Sequence, residues 1–143
     1  MHNSDRKKPT EYKHFNFEQL MSLDQFSGPD ESLAHSVLTL YLETAPQQID
    51  EITKLSSIKS FDSIRKIAHG LKSSSAHFGA TEVMRFSEEV ELFIQNTSTL
   101  NNETQAESKL QLMIENLVNS FALLLNELKE LHPHLDSKKK GAT

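Results

Sequence analysis

The stretch KLQLMIENLVNSFALLLNELKEL, residues 109–131, decides the fold class of this chain. Its apolar residues recur at alternating intervals of four and three, which is the pattern of the core-facing side of an α-helix. The series is Leu110, Ile114, Leu117, Phe121, Leu124, Leu128 and Leu131. The pattern predicts a helix over residues 103–131, which ends before Pro133 because a proline cannot continue it.

The same periodicity extends through most of the chain. It predicts further helices over residues 81–95, 61–78 and 30–57, and a shorter one over 16–26. Pro46 lies within the 30–57 segment, where it either kinks one helix or starts a second one. Gly79 follows the 61–78 segment, at a position where a left-handed residue commonly caps a helix. We therefore predict an all-α fold, an up-and-down four-helix bundle with an additional short N-terminal helix.

The length of 143 residues suits a single domain with one core. We place the helical bundle at residues 15–132. Residues 1–14 are expected to be a flexible N-terminus. Residues 133–143 end in DSKKKGAT and are expected to be a flexible basic tail, because they offer little apolar surface to bury.

Composition excludes several kinds of function. The chain has no cysteine, which rules out disulfides, thiolate zinc sites and cysteine nucleophiles. A net charge of -5 disfavours nonspecific binding to nucleic acid, and no apolar run approaches the ~20 residues of a membrane-spanning helix. The polar first residues lack the apolar stretch of a secretory signal, so we expect a cytoplasmic protein.

One histidine stands out on the predicted 61–78 helix. At about 100° per residue, His69 points away from the apolar side, so it is expected to face solvent. The residues around it on the outer face are Arg65, Lys66, Lys72, Ser73 and Ala76, with the one carboxylate of Asp62. This local excess of positive charge on an acidic protein favours an anion or an acidic partner surface.

The side chains beside His69 are small. Gly70, Ser73, Ser74 and Ala76 leave room for another protein to approach the imidazole. A glycine inside a helix is less stable than alanine by about 1 kcal/mol, so Gly70 indicates clearance rather than stability.

The string IAHGLKSSSAHFGATEVMRFSEEVE, residues 67–91, resembles the signature of histidine-containing phosphotransfer domains, the HPt family. In that family the phosphorylated histidine is followed by an aliphatic residue at +2, a lysine at +3, small residues, and Gly-Ala at +10 and +11. The matching residues here are His69, Leu71, Lys72, Ser73 to Ser75, Gly79 and Ala80, and the stripe Val83, Phe86 and Val90 then ends at Glu91. Ser73 stands where many members of the family have glycine.

The resemblance implies a function in multistep two-component relays. His69 would take a phosphoryl group on Nε2 from the aspartate of one response-regulator receiver domain and return it to the aspartate of another. Lys72 would stabilise the phosphoryl oxygens. The residues expected to bind the partner are Arg65, Lys66, Gly70, Ser73, Ala76 and Gly79. The receivers would include those of hybrid sensor histidine kinases.

The resemblance also implies a carrier with no cofactor of its own. A divalent metal such as Mg²⁺ would belong to the receiver, since the chain is expected to present no carboxylate cluster close to His69. The carrier is expected to be a monomer, since it must expose one face to successive partners.

The sequence also bears on three other kinds of function. An autonomous kinase would need a glycine-rich nucleotide motif, and neither GxGxxG nor GxxxxGK[ST] occurs in the chain. A bundle metal site would need inward-facing Glu and Glu-x-x-His ligands on several helices, whereas His132 and His134 lie beyond a predicted helix end, so no metal site is predicted. A module that docks on a receiver or kinase and regulates it by binding alone stays open as the alternative.

Overall fold

In this computed structural model, residues 8–98, 100 and 104–135 are described. They form the helices α1 (Phe17–Ser22), α2 (Leu33–Ser57), α3 (Phe61–Ala76), α4 (Thr81–Asn96) and α5 (Thr104–Leu131). Short 3₁₀ turns span Pro9–Glu11, Leu23–Phe26 and His132–His134. Within this described part there is no strand, which confirms the predicted all-α class.

The four long helices surround one core. α3 packs against α2 on one side and α4 on the other, and α5 packs against both α4 and α2. Their apolar stripes meet inside, where side chains such as Leu38, Ile64, Leu71, Leu117 and Leu124 are fully buried. The outer surfaces of α3 and α4 therefore lie next to each other on one side of the molecule.

Pro46 does not divide α2. The helix continues from Leu33 to Ser57 with the proline inside it. Tyr41, Ala45 and Ile49 are buried on both sides of the proline, so one continuous stripe packs on the core. This packing outweighs the backbone hydrogen bond that proline cannot donate.

A buried polar pair connects α2 to α3. The hydroxyl groups of Tyr41 and Ser75 lie 2.8 Å apart, and both residues are buried. Burial raises the pKa of Tyr41 far above its ordinary value, so the phenol stays neutral. The pair explains why a serine occupies the apolar stripe of α3.

The turn after α3 requires a glycine. Gly79 has a φ of 66°, the left-handed conformation that its place in the sequence predicts. A Cβ atom at this position would lie 2.7 Å from Gln19 Oε1 and 2.9 Å from Asn16 Cβ. The helix ends at Ala76, two residues before the predicted end, because the chain already turns at residues 77–79.

The N-terminal segment packs on the bundle from well before residue 15. Tyr12 and Phe15 are buried, and the backbone N–H groups of Lys13 and His14 donate to the carboxylate of Glu127 on α5 at 2.9–3.1 Å. The predicted flexible N-terminus extends to residue 14, whereas aromatic burial and a buried carboxylate hold residues 12–14 against the bundle. Residues 1–7 of that predicted terminus lie outside the described part.

The C-terminal end departs from the prediction over three residues. After α5, residues 132–134 form a 3₁₀ turn, and Leu135 packs partly against the core. The remainder of the predicted basic tail, residues 136–143, lies outside the described part of the chain. None of the described helices is long and apolar enough to cross a membrane.

Candidate functional site

His69 lies in the middle of α3 with its side chain 60% exposed to solvent. Ala68 and Leu71, its neighbours on the opposite side of the helix, are fully buried. The exposure follows from the helical periodicity, as the sequence predicts. The ring is therefore accessible to a second protein.

Glu91 on α4 fixes the orientation of this ring. Its Oε2 lies 2.7 Å from His69 Nδ1, and its side chain is only 10% exposed. A carboxylate accepts hydrogen bonds and does not donate them, so the geometry assigns the ring proton to Nδ1. The lone pair of the neutral imidazole then lies on Nε2, the nitrogen that Glu91 does not contact.

The same carboxylate also contacts Lys72. Lys72 Nζ lies 3.2 Å from Glu91 Oε1, an ion pair outside ideal hydrogen-bond geometry, and 3.6 Å from Glu88 Oε2. Glu91 thus faces His69 with one oxygen and Lys72 with the other. The expectation of a single carboxylate, that of Asp62, beside His69 is wrong, because the position of Glu91 on α4 lies at the contact with α3.

The shifts in the pKa values of Glu91 and Lys72 favour the charged form of each residue. Burial alone would raise the pKa of Glu91, but the hydrogen bond from His69 and the interaction with Lys72 outweigh burial and hold that pKa below its ordinary value. The interaction with Glu91 raises the pKa of Lys72 in turn. At neutral pH a carboxylate and an ammonium group therefore stand side by side next to the imidazole.

The predicted excess of positive charge around His69 is not present. Asp62 pairs with Arg65 at 2.9 Å and with Lys66 at 3.4 Å, while Lys72 pairs with acidic residues of α4. Both hydrogen bonding to Arg65 and the charge of that residue lower the pKa of Asp62. The periodicity of α3 alone does not reveal Glu88 and Glu91, because these residues lie on the neighbouring helix.

The small residues on α3 differ in their surroundings. A Cβ atom at Gly70 would meet only Gln48 Nε2, at an ordinary contact distance of 3.8 Å, so packing within the protein does not require a glycine here. The hydroxyl of Ser73 donates to the backbone oxygen of His69 at 3.3 Å. It therefore hydrogen-bonds within its own helix rather than to the ring of His69.

Ala76 and Gly79 lie towards the C-terminal end of α3. The backbone oxygen of Ala76 accepts a hydrogen bond from Gln19 Nε2 at 2.8 Å, and Gly79 packs under α1. The side chain of Ala76 lines an open groove between α3 and α4. The other residues of this groove are Lys72, Ser73, Thr81, Met84, Arg85 and Glu88.

The described residues contain no group of three or more histidine and acidic side chains placed to hold a metal ion. The carboxylates of Glu88 and Glu91 are instead paired with Lys72. The chemistry that this arrangement offers is that of a nucleophilic imidazole with an adjacent cation.

The site is an exposed histidine on a helical bundle, which a carboxylate of the neighbouring helix orients, with a lysine one turn further on. Among models of protein families, that of the Hpt domain matches residues 36–120 of the chain. The chain belongs to the Hpt domain family. The matched range contains His69, Lys72, Glu88 and Glu91.

Membership of this family implies a part in the phosphotransfer of two-component phosphorelays, in which Hpt domains interact with receiver domains. Searches of curated proteins and of solved structures found no match to the chain.

Proposed function

We propose that this protein is a phosphohistidine intermediate. It accepts a phosphoryl group from the aspartate of one receiver domain onto His69 Nε2 and passes it to the aspartate of another. The observation that carries the proposal is the contact of 2.7 Å between His69 Nδ1 and buried Glu91, which leaves Nε2 as the free nitrogen of an exposed ring.

In the first step, the Nε2 lone pair attacks phosphorus. The N–P bond forms as the aspartyl O–P bond breaks, and the receiver aspartate leaves as a carboxylate. The proton on Nδ1 stays next to Glu91, whose negative charge stabilises the positive charge that develops on the ring. The second step is the reverse reaction with another receiver.

Lys72 supports both steps. Its ammonium group lies one helical turn from His69 and within 3.2 Å of the carboxylate that orients the ring. From there it stabilises the phosphoryl oxygens, on which the charge of a loose transition state is concentrated. The protein contributes alignment and charge, and the divalent metal belongs to the receiver, so the carrier needs no cofactor and has no kinase activity of its own.

The docking face consists of the outer surfaces of α3 and α4. Arg65, Lys66, Gly70 and Ser73 contact the receiver, as does Ala76, which lines the groove next to Lys72. Gly79 contributes indirectly, by setting the turn that joins the two helices.

Connections of only three residues between α2 and α3 and four between α3 and α4 support an up-and-down order of helices. The carrier acts in the cytoplasm as a monomer.

A labelling experiment tests this function. The protein is incubated with a receiver that carries radioactive phosphate, and the label that it acquires should be labile in acid and stable in alkali. His69→Gln should abolish the label. The matched control is His77→Gln, which replaces an exposed histidine at the end of the same helix.

Two outcomes would contradict the proposal. Label on the His69→Gln variant would show that another residue is phosphorylated. A wild-type protein that binds the receiver but stays unlabelled would support the alternative, a module that regulates its partner by docking alone.

A further inference from the structure

Lys72 is shared between two acidic residues of α4 that differ in their surroundings. Glu91 has a side chain 10% exposed and also bonds His69, whereas Glu88 is 53% exposed and lies 3.6 Å from Lys72 Nζ. Lys72 itself is only 28% exposed, at the end of the groove between α3 and α4. The lysine is thus held towards α4 by two negative charges.

A phosphoryl group on His69 would change the balance of charge around Lys72. It carries about 1.5 to 2 negative charges near neutral pH and three strong acceptor oxygens. Lys72 has one ammonium group for three negative partners. Because Glu91 is buried and also orients the ring, the partner that Lys72 gives up most readily is exposed Glu88.

We propose that Glu88 is a positioning residue that competes with the phosphoryl group for Lys72 and so sets how strongly His69 retains that group. This inference rests on the proposed function. Glu88 touches no reacting atom. It acts through Lys72. It lowers the equilibrium fraction of protein that is phosphorylated on His69, so that the phosphoryl group passes on to a second receiver.

The measurement that isolates this role is the equilibrium constant for transfer between a receiver and His69. Because the constant compares free species, it does not depend on how tightly the receiver docks. Glu88→Gln should shift this equilibrium constant about two- to five-fold towards phosphorylated His69, which is the effect expected for the loss of an exposed ion pair. Circular dichroism checks that the variant keeps its helices.

The matched control is Glu89→Gln, which makes the same charge change one residue away. Glu89 pairs with Arg85 on its own helix at 3.4 Å and has no contact with Lys72 in the described part of the chain. It should leave the constant unchanged. Equal effects of the two variants would reveal a general effect of charge and overturn the proposal.

A double-mutant cycle with Lys72→Met separates two ways in which Glu88 could act. If it acts through Lys72, Glu88→Gln has no effect in the Lys72→Met background. If Glu88 repels the phosphoryl group directly, the effect persists there, and the positioning role is wrong. Failure of the proposed function is distinguishable, since the wild-type protein would then acquire no label.

Discussion

His69 and Glu91 lie 22 residues apart on different helices, yet Nδ1 of one and Oε2 of the other are 2.7 Å from each other. The contact assigns the ring proton and directs the remaining lone pair to the exposed side. It also joins the histidine to Lys72, because the second oxygen of the same carboxylate faces the lysine. The orientation of the His69 ring therefore depends on how α3 and α4 pack.

Glu91→Gln should slow phosphorylation of His69 on the order of tenfold, since a hydrogen bond to a charged group contributes about 1.5–3 kcal/mol. The amide oxygen can still accept from Nδ1, but the charge that stabilises the ring is lost. The rate is measured by rapid quench with a phosphorylated receiver. Nitrogen NMR of the His69 ring should show a smaller fraction of the Nδ1–H tautomer, which a merely structural role would not change. Unaltered rate and tautomer would contradict the role given to Glu91.

Gly70→Ala should stabilise the fold by about 1 kcal/mol, because alanine is the better helix former. The new methyl group makes an ordinary contact with Gln48, so it introduces no clash. If Gly70 provides clearance for a receiver, the more stable variant transfers more slowly. Urea unfolding and transfer kinetics on the same preparation test the two effects. A variant that is more stable and transfers at the wild-type rate would remove the clearance role.

Gly79→Ala should have the opposite effect on stability. A left-handed conformation is unfavourable for a residue with a side chain by roughly 1–2 kcal/mol, and the new Cβ would crowd Gln19. Urea unfolding should give a loss of at least that size. Combination with Gln19→Ala relieves the crowding against Gln19, but neither the contact with Asn16 Cβ nor the backbone strain, so it restores part of the loss. Full recovery in the double variant would show that φ contributes nothing.

The contribution of His132 to the stability of the fold should fall between pH 8 and pH 5.5. His132 stacks on His35 with ring centres 5.1 Å apart, and its Nε2 lies 2.8 Å from Thr39 Oγ1. Burial, and then the charge of His35, lower the pKa of His132 below 6.5 in the folded protein. The neutral ring is thus favoured by folding, so this contribution is complete above the unfolded pKa and is lost as pH falls through the folded one.

Urea titrations at the two pH values measure this effect. His132→Gln should reduce the difference in unfolding free energy between them, while the control His77→Gln should leave it as it is. The acidic groups Glu91 and Asp62, whose pKa values are lowered, lose their contribution only at more acidic pH. The losses from these two acidic groups therefore fall below the pH range that is measured. An equal pH dependence in His132→Gln would contradict the contribution given to His132.

Local patterns were sufficient to predict most of the helices. The spacing in residues 109–131 predicts the end of α5 at Leu131, and Gly79 marks the left-handed turn after α3. The outward direction of His69 follows from the same reasoning. These features depend on residues three or four positions apart, whose relative directions a helix determines by itself.

The sequence by itself determined an all-helical chain with an exposed histidine followed by Lys72. Only the tertiary structure decided that Glu88 and Glu91 neutralise the lysine, that α2 continues through Pro46, and that residues 12–15 pack on the bundle near Glu127. The physical reason is that these contacts join segments far apart in the chain. Helical periodicity gives the direction of each side chain from its own axis, but which faces of two helices meet depends on how all the apolar stripes pack together.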